Sequence, residues 1–109
     1  MVTAETAMVL PVLVLIAAIG LAVLGHGIDQ VRCVDAARAG ARAAARGDAD
    51  QSVVALARVG APDGSRVSVS AIGSQVTVEV AAPGRASWLP GLAGPSARAV
   101  ADREAAHAP

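Results

Sequence analysis

Lysine, phenylalanine and tyrosine are absent from this 109-residue chain, which contains one tryptophan and one cysteine. Nine arginines balance nine acidic residues, so the formal net charge is zero. The chain therefore lacks the net positive charge and the aromatic stacking platforms with which proteins bind nucleic acids. One cysteine excludes an internal disulfide, and one cysteine with two histidines argues against a Cys/His zinc site.

Motifs of catalysis are also absent from the sequence. It shows no paired nucleophile and base, no glycine-rich phosphate loop and no carboxylate dyad. His26 stands between two glycines at the end of an apolar run and His107 lies near the C-terminus, so neither suggests a ligand cluster. We expect a protein that is not an enzyme, with no catalytic, metal or cofactor-binding residues, no cofactor and no small-molecule substrate.

Apolar residues, by contrast, make up 54% of the chain, and 27 of them are alanines. Residues 6–28 form a run of 23 residues without a formal charge. As a helix rising about 1.5 Å per residue, this run spans roughly 35 Å, enough for a hydrocarbon core of about 30 Å. A buried core helix is the alternative, but such helices are usually shorter, and the remaining residues could hardly surround this one. We predict a membrane-embedded helix.

A cleaved secretory signal peptide is the main rival interpretation of the apolar run. Such a signal has a basic segment, an apolar stretch of about 7–15 residues and a small-residue cleavage site. Here no arginine precedes the run, the run is longer, and residues 20–22 (Gly-Leu-Ala) make a poor cleavage site. We therefore expect the apolar helix to be retained.

The helix is expected to continue beyond the apolar run. Charged residues recur there at spacings of three and four and line one helical face: Arg32, Asp35, Arg38, Arg42 and Arg46. Gly47 is typical of a helix C-terminus. Pro11 removes one backbone hydrogen bond and should bend the axis. The pattern predicts one helix over residues 2–46, roughly 65–70 Å long.

The chain thus divides into an apolar helix, its amphipathic continuation and a small head: residues 1–28, 29–46 and 47–109. The head contains a short helix, two hairpin strands joined by Gly73-Ser74, a loop, and a final segment that is either a third strand or a short helix: residues 51–59, 66–72, 75–81, 83–95 and 96–104. Asp48 or Asp50 can cap the short helix. The predicted fold class is α+β.

The alternation of the hairpin predicts which faces form the core. One apolar face is expected on each strand: Val67, Val69 and Ala71 on the first, and Val76, Val78 and Val80 on the second. These faces should pack on the amphipathic part of the long helix. Because an isolated hairpin is marginally stable and a head of about 60 residues buries only about 60% of its unfolded surface, the head should depend on that helix and on neighbouring subunits.

Three further features are candidates for function. Cys33, just past the apolar run, could be acylated or form an intermolecular disulfide, but a small residue in a helix-packing surface explains it better. Residues 46–48 spell the adhesion tripeptide Arg-Gly-Asp, which a helix end explains better. Trp88, Leu89 and Leu92 are candidates for contact with a partner, since an aromatic side chain in a loop can anchor an interface. Alternatively, Trp88 folds over the hairpin as a lid.

Two segments carry a family resemblance. Residues 1–16, Met-Val-Thr-Ala-Glu-Thr-Ala-Met-Val-Leu-Pro-Val-Leu-Val-Leu-Ile, look like the N-terminus of a TadE-like minor pilin, a pseudopilin of the tight-adherence type IV pilus systems. Residues 32–42, Arg-Cys-Val-Asp-Ala-Ala-Arg-Ala-Gly-Ala-Arg, strengthen the resemblance, which is greatest to versions from high-GC Gram-positive bacteria. With the valine hairpin and the C-terminal Ala/Arg/Glu stretch, it covers most of the chain and implies a pilin-like architecture.

The resemblance also implies processing and assembly. Such proteins carry a basic leader ending in glycine, which a prepilin peptidase removes; the mature helix then enters a pilus or its assembly platform with the head outside the membrane. Met1, Glu5 and Pro11 are the corresponding candidates for processing and assembly. The carboxylate of Glu5 near the first helical turn complements the helix dipole, and in an apolar bundle it would seek the N-terminal ammonium of an adjacent subunit. Alternatively, Glu5 is an ordinary acid in the headgroup region.

Two features conflict with that expectation. No glycine or basic segment precedes Met1 in this sequence, so we expect either an upstream start or an unprocessed protein. Arginines follow the apolar run and none precedes it, so the positive-inside rule alone would place the head in the cytoplasm. The pilin interpretation places it outside, with a basic leader opposing the bias.

Two classes of function therefore remain. The first is a structural minor pilin of the cell membrane or a surface pilus, whose partners are membrane lipid, other pilin or pseudopilin subunits, pilus assembly proteins and, if a leader exists, prepilin peptidase. The second is a single-pass, membrane-anchored accessory protein whose head binds a partner unrelated to pili. Dependence of the mature N-terminus on prepilin peptidase distinguishes the two.

Overall fold

The computed structural model describes residues 2–85, 88–89 and 93–102 of the chain. It has the α+β fold expected from the sequence, with two helices and three strands: α1 (Val2–Ala45), α2 (Asp50–Gly60), β1 (Arg66–Ile72), β2 (Gln75–Ala81) and β3 (Ser96–Asp102). The molecule is elongated, with principal extents of 83 × 21 × 16 Å. Its length comes from α1, which is 44 residues long and carries the head at its C-terminal end.

Helix α1 ends where the sequence provides a glycine. Gly47 has a φ of 85°, a left-handed conformation that glycine adopts without strain. Its N–H donates to the Ala44 carbonyl (3.0 Å), and the Asp48 N–H donates to the Ala43 carbonyl (3.1 Å), which is the Schellman arrangement. The helix ends at Ala45, one residue before the predicted end, because Arg46 is the C-terminal capping residue of this motif. The helix continues through Pro11.

Helix α2 begins without the predicted cap. Its N-terminal capping residue is Ala49, which makes no side-chain capping hydrogen bond, so the expectation that Asp48 or Asp50 caps this helix is wrong. Asp48 instead accepts a hydrogen bond from Arg46 (Nη2–Oδ2, 3.2 Å). Asp50 is the first residue of the helix, where a carboxylate complements the helix dipole.

The three strands form one antiparallel sheet in the order β1-β2-β3. Ile72 pairs with Gln75 across a two-residue turn in which Gly73 has a φ of 61°, as a type II′ turn requires. Both hairpin strands have the predicted bounds. Of the two alternatives for residues 96–104, the strand is correct for 96–102, and residues 103–104 lie outside the described part of the chain.

The core lies where β2 and both helices meet. The side chains of Val76, Val78 and Val80 are completely buried, as predicted. Val67 and Val69 of β1 are half-buried, but Ala71 is exposed, so its predicted place on the buried face is wrong. β2 is central and lies against α1, whereas β1 is an edge strand that contacts the shorter α2, and of its apolar side chains only Val67 and Val69 pack against the core.

Alanines and one glycine of α1 allow close packing. Ala36, Ala37, Ala43 and Ala44 are buried against the sheet and α2. A Cβ on Gly40 would lie 2.9 Å from Val78 Cγ1 and 3.4 Å from Ala57 Cβ. Only a residue without a side chain fits between α1, β2 and α2 at this level, which explains the single glycine in the amphipathic half of the helix.

Candidate functional site

The most conspicuous surface of the molecule is the unburied first half of α1. Large apolar side chains cover it, including Met8 (79% exposed) and Leu21 (69% exposed). The helix is long and apolar enough to cross a membrane once, and none of its most apolar 18-residue stretch is buried. A helix at the centre of a soluble core would be covered on most sides, so the core-helix alternative does not describe this segment.

The predicted assembly residues lie at the N-terminal end of α1, away from the head. Glu5 is exposed in the first turn of α1, where its carboxylate complements the positive end of the helix dipole. Pro11 is also exposed, about two turns further along. Met1 lies outside the described residues. Neither Glu5 nor Pro11 is near the head, so their predicted roles concern neighbouring molecules.

An ion pair joins the head to α1 directly above the apolar run, which ends at residue 28. Asp29 is only 2% exposed, and its two carboxylate oxygens accept hydrogen bonds from Arg85 Nε and Nη2, the latter at 2.9 Å. The Arg85 hydrogen bond lowers the pKa of Asp29 from its ordinary value of 3.8, against the opposing effect of burial. The Arg85 side chain also lies against Gly25. Sequence reasoning missed this pair because 56 residues separate its members.

Cys33 is fully buried at the same junction and is a free thiol. Its Sγ donates to the Pro95 carbonyl (3.7 Å), which also accepts the Ala82 N–H (2.8 Å). Burial raises the pKa of the thiol. The residue therefore acts as the small packing side chain that the sequence favoured over a site of acylation or disulfide formation.

We expect Cys33 to resist alkylation while the head is folded. In mild detergent at pH 8, iodoacetamide should react at least about a hundredfold more slowly with Cys33 than in urea, because a buried, protonated thiol must first be exposed by opening of the head. Mass spectrometry measures the rate. The control is Cys33→Ala/Ser74→Cys, whose thiol in the exposed hairpin turn should react as fast as in urea. Rapid alkylation of Cys33 in the folded chain would contradict the packing described.

The Asp29–Arg85 pair should stabilise the junction measurably. Arg85→Gln leaves a buried carboxylate without its cation, so we expect alkylation of Cys33 to accelerate on the order of threefold to tenfold, the modest size reflecting that the Arg85 side chain is 54% exposed. Because the pKa of Asp29 is lowered on folding, the pair's contribution is complete above pH 3.8 and lost as the pH falls through the folded value. Amide exchange of Ala82 at low pH checks this loss.

A matched control comes from the sheet surface. Arg98 and Glu79 form an exposed ion pair (Nη2–Oε2, 2.9 Å), with side chains 67% and 41% exposed. Arg98→Gln should change the alkylation rate of Cys33 less than about twofold, since exposed pairs contribute little. Equal effects of Arg85→Gln and Arg98→Gln would show that burial of Asp29 does not matter.

The predicted partner-contact residues are only partly described. Trp88 is 59% exposed, which fits a contact residue better than a lid folded over the hairpin. Leu89 is half-buried, and Leu92 lies outside the described residues. Contact of this loop with a partner stays a prediction.

Among the described residues, no group of three or more histidine, cysteine or acidic side chains could hold a metal ion. The described residues thus offer three features: the exposed apolar half of α1, the junction held by the Asp29–Arg85 ion pair, and the small head. Comparisons with protein-family models, with curated proteins and with solved structures found nothing that matches this chain.

Proposed function

We propose that this chain is a minor pilin-like structural subunit of a tight-adherence type IV pilus or of its assembly platform. One observation supports this most strongly: the described part of the head packs on the C-terminal half of α1, and the apolar N-terminal half projects from it unburied. In the proposed function, this projecting helix binds lipid before assembly and other pilin helices afterwards, and the head lies outside the cytoplasm.

The energetics of the helix favour such use. Each large aliphatic side chain removed from water contributes about 1.5–3 kcal/mol. More than ten such side chains between residues 8 and 28 are 46% exposed or more. Transfer of this half of α1 out of water is therefore strongly favourable. A lipid bilayer and a bundle of similar helices both satisfy this tendency, which suits a subunit that moves from one to the other.

In this proposal, Glu5 aligns neighbouring subunits along their helix axes. A carboxylate one turn from the start of an apolar helix is costly to bury unless it meets a positive group. The N-terminal ammonium of an adjacent subunit is the natural partner, because side-by-side helices with a small axial offset bring the two together. The pair would set the register between subunits.

We expect Glu5→Gln to reduce incorporation of the chain into fibres or platform complexes by about tenfold, since an unpaired ammonium in an apolar bundle is costly. Membrane insertion should be unchanged. Immunoblots of sheared surface fibres and of membranes measure the two quantities. Asp35→Asn, an exposed acid on the same helix within the head region, is the control and should leave both unchanged. Normal incorporation of Glu5→Gln would remove Glu5 from the assembly role.

The proposed function is tested by the mature N-terminus of the native protein. Mass spectrometry should find one defined N-terminus in wild-type cells and a longer chain when prepilin peptidase is deleted. In the same strains, a membrane-impermeant maleimide should label Cys33→Ser/Ser74→Cys on intact cells if the head is outside. An unchanged N-terminus, with the chain only in the membrane, would contradict the proposal and favour a single-pass accessory protein that binds its partner through the Trp88 loop.

A further inference from the structure

An open groove lies along the β3 edge of the sheet, where β3 pairs with no other strand among the described residues. Residues 34–45 of α1 form one wall and residues 98–101 of β3 form the other, enclosing about 470 Å³. Small or apolar residues make up most of its lining, with Ala41, Ala99 and Ala101 leaving room beside the strand, and three arginines complete it. The groove is separate from the apolar half of α1 and from the Asp29–Arg85 junction.

The hydrogen-bond pattern shows what β3 offers to this groove. The Ala82 N–H donates to the Pro95 carbonyl, so these two residues form a hydrogen-bonded pair at the start of the β2–β3 ladder. Such pairs alternate in an antiparallel ladder. Residues 97, 99 and 101 therefore bond to β2, and the backbone groups of Arg98, Val100 and Asp102 point to the free edge. The Ser96 carbonyl, which has the same parity, accepts a hydrogen bond from Gln30 Nε2 of α1 (2.9 Å).

The charges around the groove are positive. Arg38, Arg42 and Arg98 line it, and none of the acidic side chains that the structure describes does. Arg98 is paired with Glu79 on the sheet surface, whereas neither Arg38 nor Arg42 forms an ion pair with any residue the structure describes. Within the described part of the head, these two arginines are therefore available to a partner.

Distance separates these arginines from lipid headgroups. At about 1.5 Å per residue, Arg38 lies roughly 15 Å and Arg42 roughly 21 Å along the helix axis beyond residue 28, where the apolar run ends. A partner that carries carboxylates at that height fits them better than the membrane surface does.

We propose that this groove binds an extended acidic segment of a partner protein, which adds to β3 as a fourth strand. Backbone groups of the segment would pair with the outward groups of Arg98 and Val100, and its carboxylates would meet Arg38 and Arg42. The inference does not depend on the pilin proposal, since it concerns the head of any membrane-anchored form of the chain.

The first test uses a peptide and one backbone group. A fluorescent seven-residue peptide of alternating glutamate and valine is titrated into the full chain in nonionic detergent, and anisotropy should give a Kd on the order of 10⁻⁵ M that weakens as salt rises. Val100→Pro removes an N–H that faces the edge without breaking a bond to β2. It should weaken binding at least tenfold, whereas Val100→Thr, which keeps the N–H, should bind within about twofold of wild type. Slow alkylation of Cys33 confirms that each variant is folded.

The second test concerns charge. Arg38→Gln/Arg42→Gln should weaken the peptide at least fivefold, and Arg58→Gln/Arg66→Gln, which alters two exposed arginines outside the groove, should not. Three outcomes would each overturn the proposal. A peptide with lysine in place of glutamate could bind as tightly as the glutamate peptide, Val100→Pro could bind as tightly as Val100→Thr, or the glutamate peptide could fail to bind at about 1 mM.

Two outcomes would assign the groove to another occupant and equally overturn it. One is self-association of the peptide-free chain that Val100→Pro abolishes, because the edge would then belong to a second copy. The other is protection of the β3 amides from exchange in phosphatidylglycerol nanodiscs but not in phosphatidylcholine nanodiscs, without peptide, because the arginines would then bind lipid headgroups.

Discussion

We expect Gly94→Ala to destabilise the head more than any other substitution that adds one methyl group. A Cβ at this position would overlap the Ala82 carbonyl oxygen and lie 3.1 Å from the Gly84 nitrogen. Both are backbone atoms that no side-chain rotation can move away. The adjoining Pro95 carbonyl accepts hydrogen bonds from Ala82 and Cys33, so a shift here separates β3 from β2 and from α1 together. We expect a loss of about 3 kcal/mol or more.

The measurement is the alkylation rate of Cys33 in detergent, which should rise about a hundredfold, since each 1.4 kcal/mol corresponds to a factor of ten. Gly60→Ala is the matched control because a Cβ at Gly60 would meet nothing within 4 Å. Protection of Cys33 as strong in Gly94→Ala as in wild type would show that the segment before β3 does not lie against residues 82–84.

Gly40→Val is the second substitution with a large expected effect. Even the first added carbon would lie 2.9 Å from Val78 Cγ1, and Val78 is itself fully buried and cannot move aside. Helix α1 would have to shift away from β2 and α2, and overpacking of this kind costs about 1–3 kcal/mol. We expect the alkylation of Cys33 to accelerate about 10- to 100-fold.

Gly27→Val on the same helix separates packing from helix propensity. It introduces the same side chain, but a Cβ at Gly27 meets nothing within 4 Å. Because valine forms helix at least as well as glycine, Gly27→Val should leave the alkylation rate unchanged or lower. If both valine substitutions accelerated alkylation equally, the close approach of α1 and β2 would not be the cause.

The two halves of α1 carry different kinds of side chain because they have different surroundings. In the first half of α1, branched and long aliphatic residues face outward on all sides. In the second half, alanines and Gly40 face inward, because small side chains let a three-stranded sheet and α2 lie close to the helix axis. One helix thus serves both as the projecting apolar segment and as the scaffold of the head.

Local sequence patterns were sufficient to predict the long helix and the hairpin. A long apolar run followed by charges at helical spacing predicted one helix to within a residue of its observed end, because Gly47 terminates it by its own backbone preference. Period-two alternation around Gly73 gave both hairpin strands with their bounds. Each of these signals depends on neighbours a few residues apart, which is the range over which propensity and periodicity act.

Predictions failed where the outcome depended on distant neighbours or on competing partners. Asp48 is a good capping residue, but it pairs with Arg46 instead, and α2 begins at an uncapped Ala49. Ala71 has the right parity for burial, but at its end of β1 no element of the described chain covers it, and only Val67 and Val69 of that strand pack against the core. Both errors arise because a residue's local preference does not say what else comes within its reach.

By itself, therefore, the sequence determined the length and polarity of the long helix, its glycine stop and the hairpin, since these follow from backbone preferences and the spacing of apolar residues. The tertiary structure alone decided that residues 96–102 form a strand beside β2, that Arg85 meets Asp29, and that Pro95 meets Cys33. Those contacts join residues 15 or more positions apart, and they depend on how the chain folds back over α1 rather than on any short-range pattern.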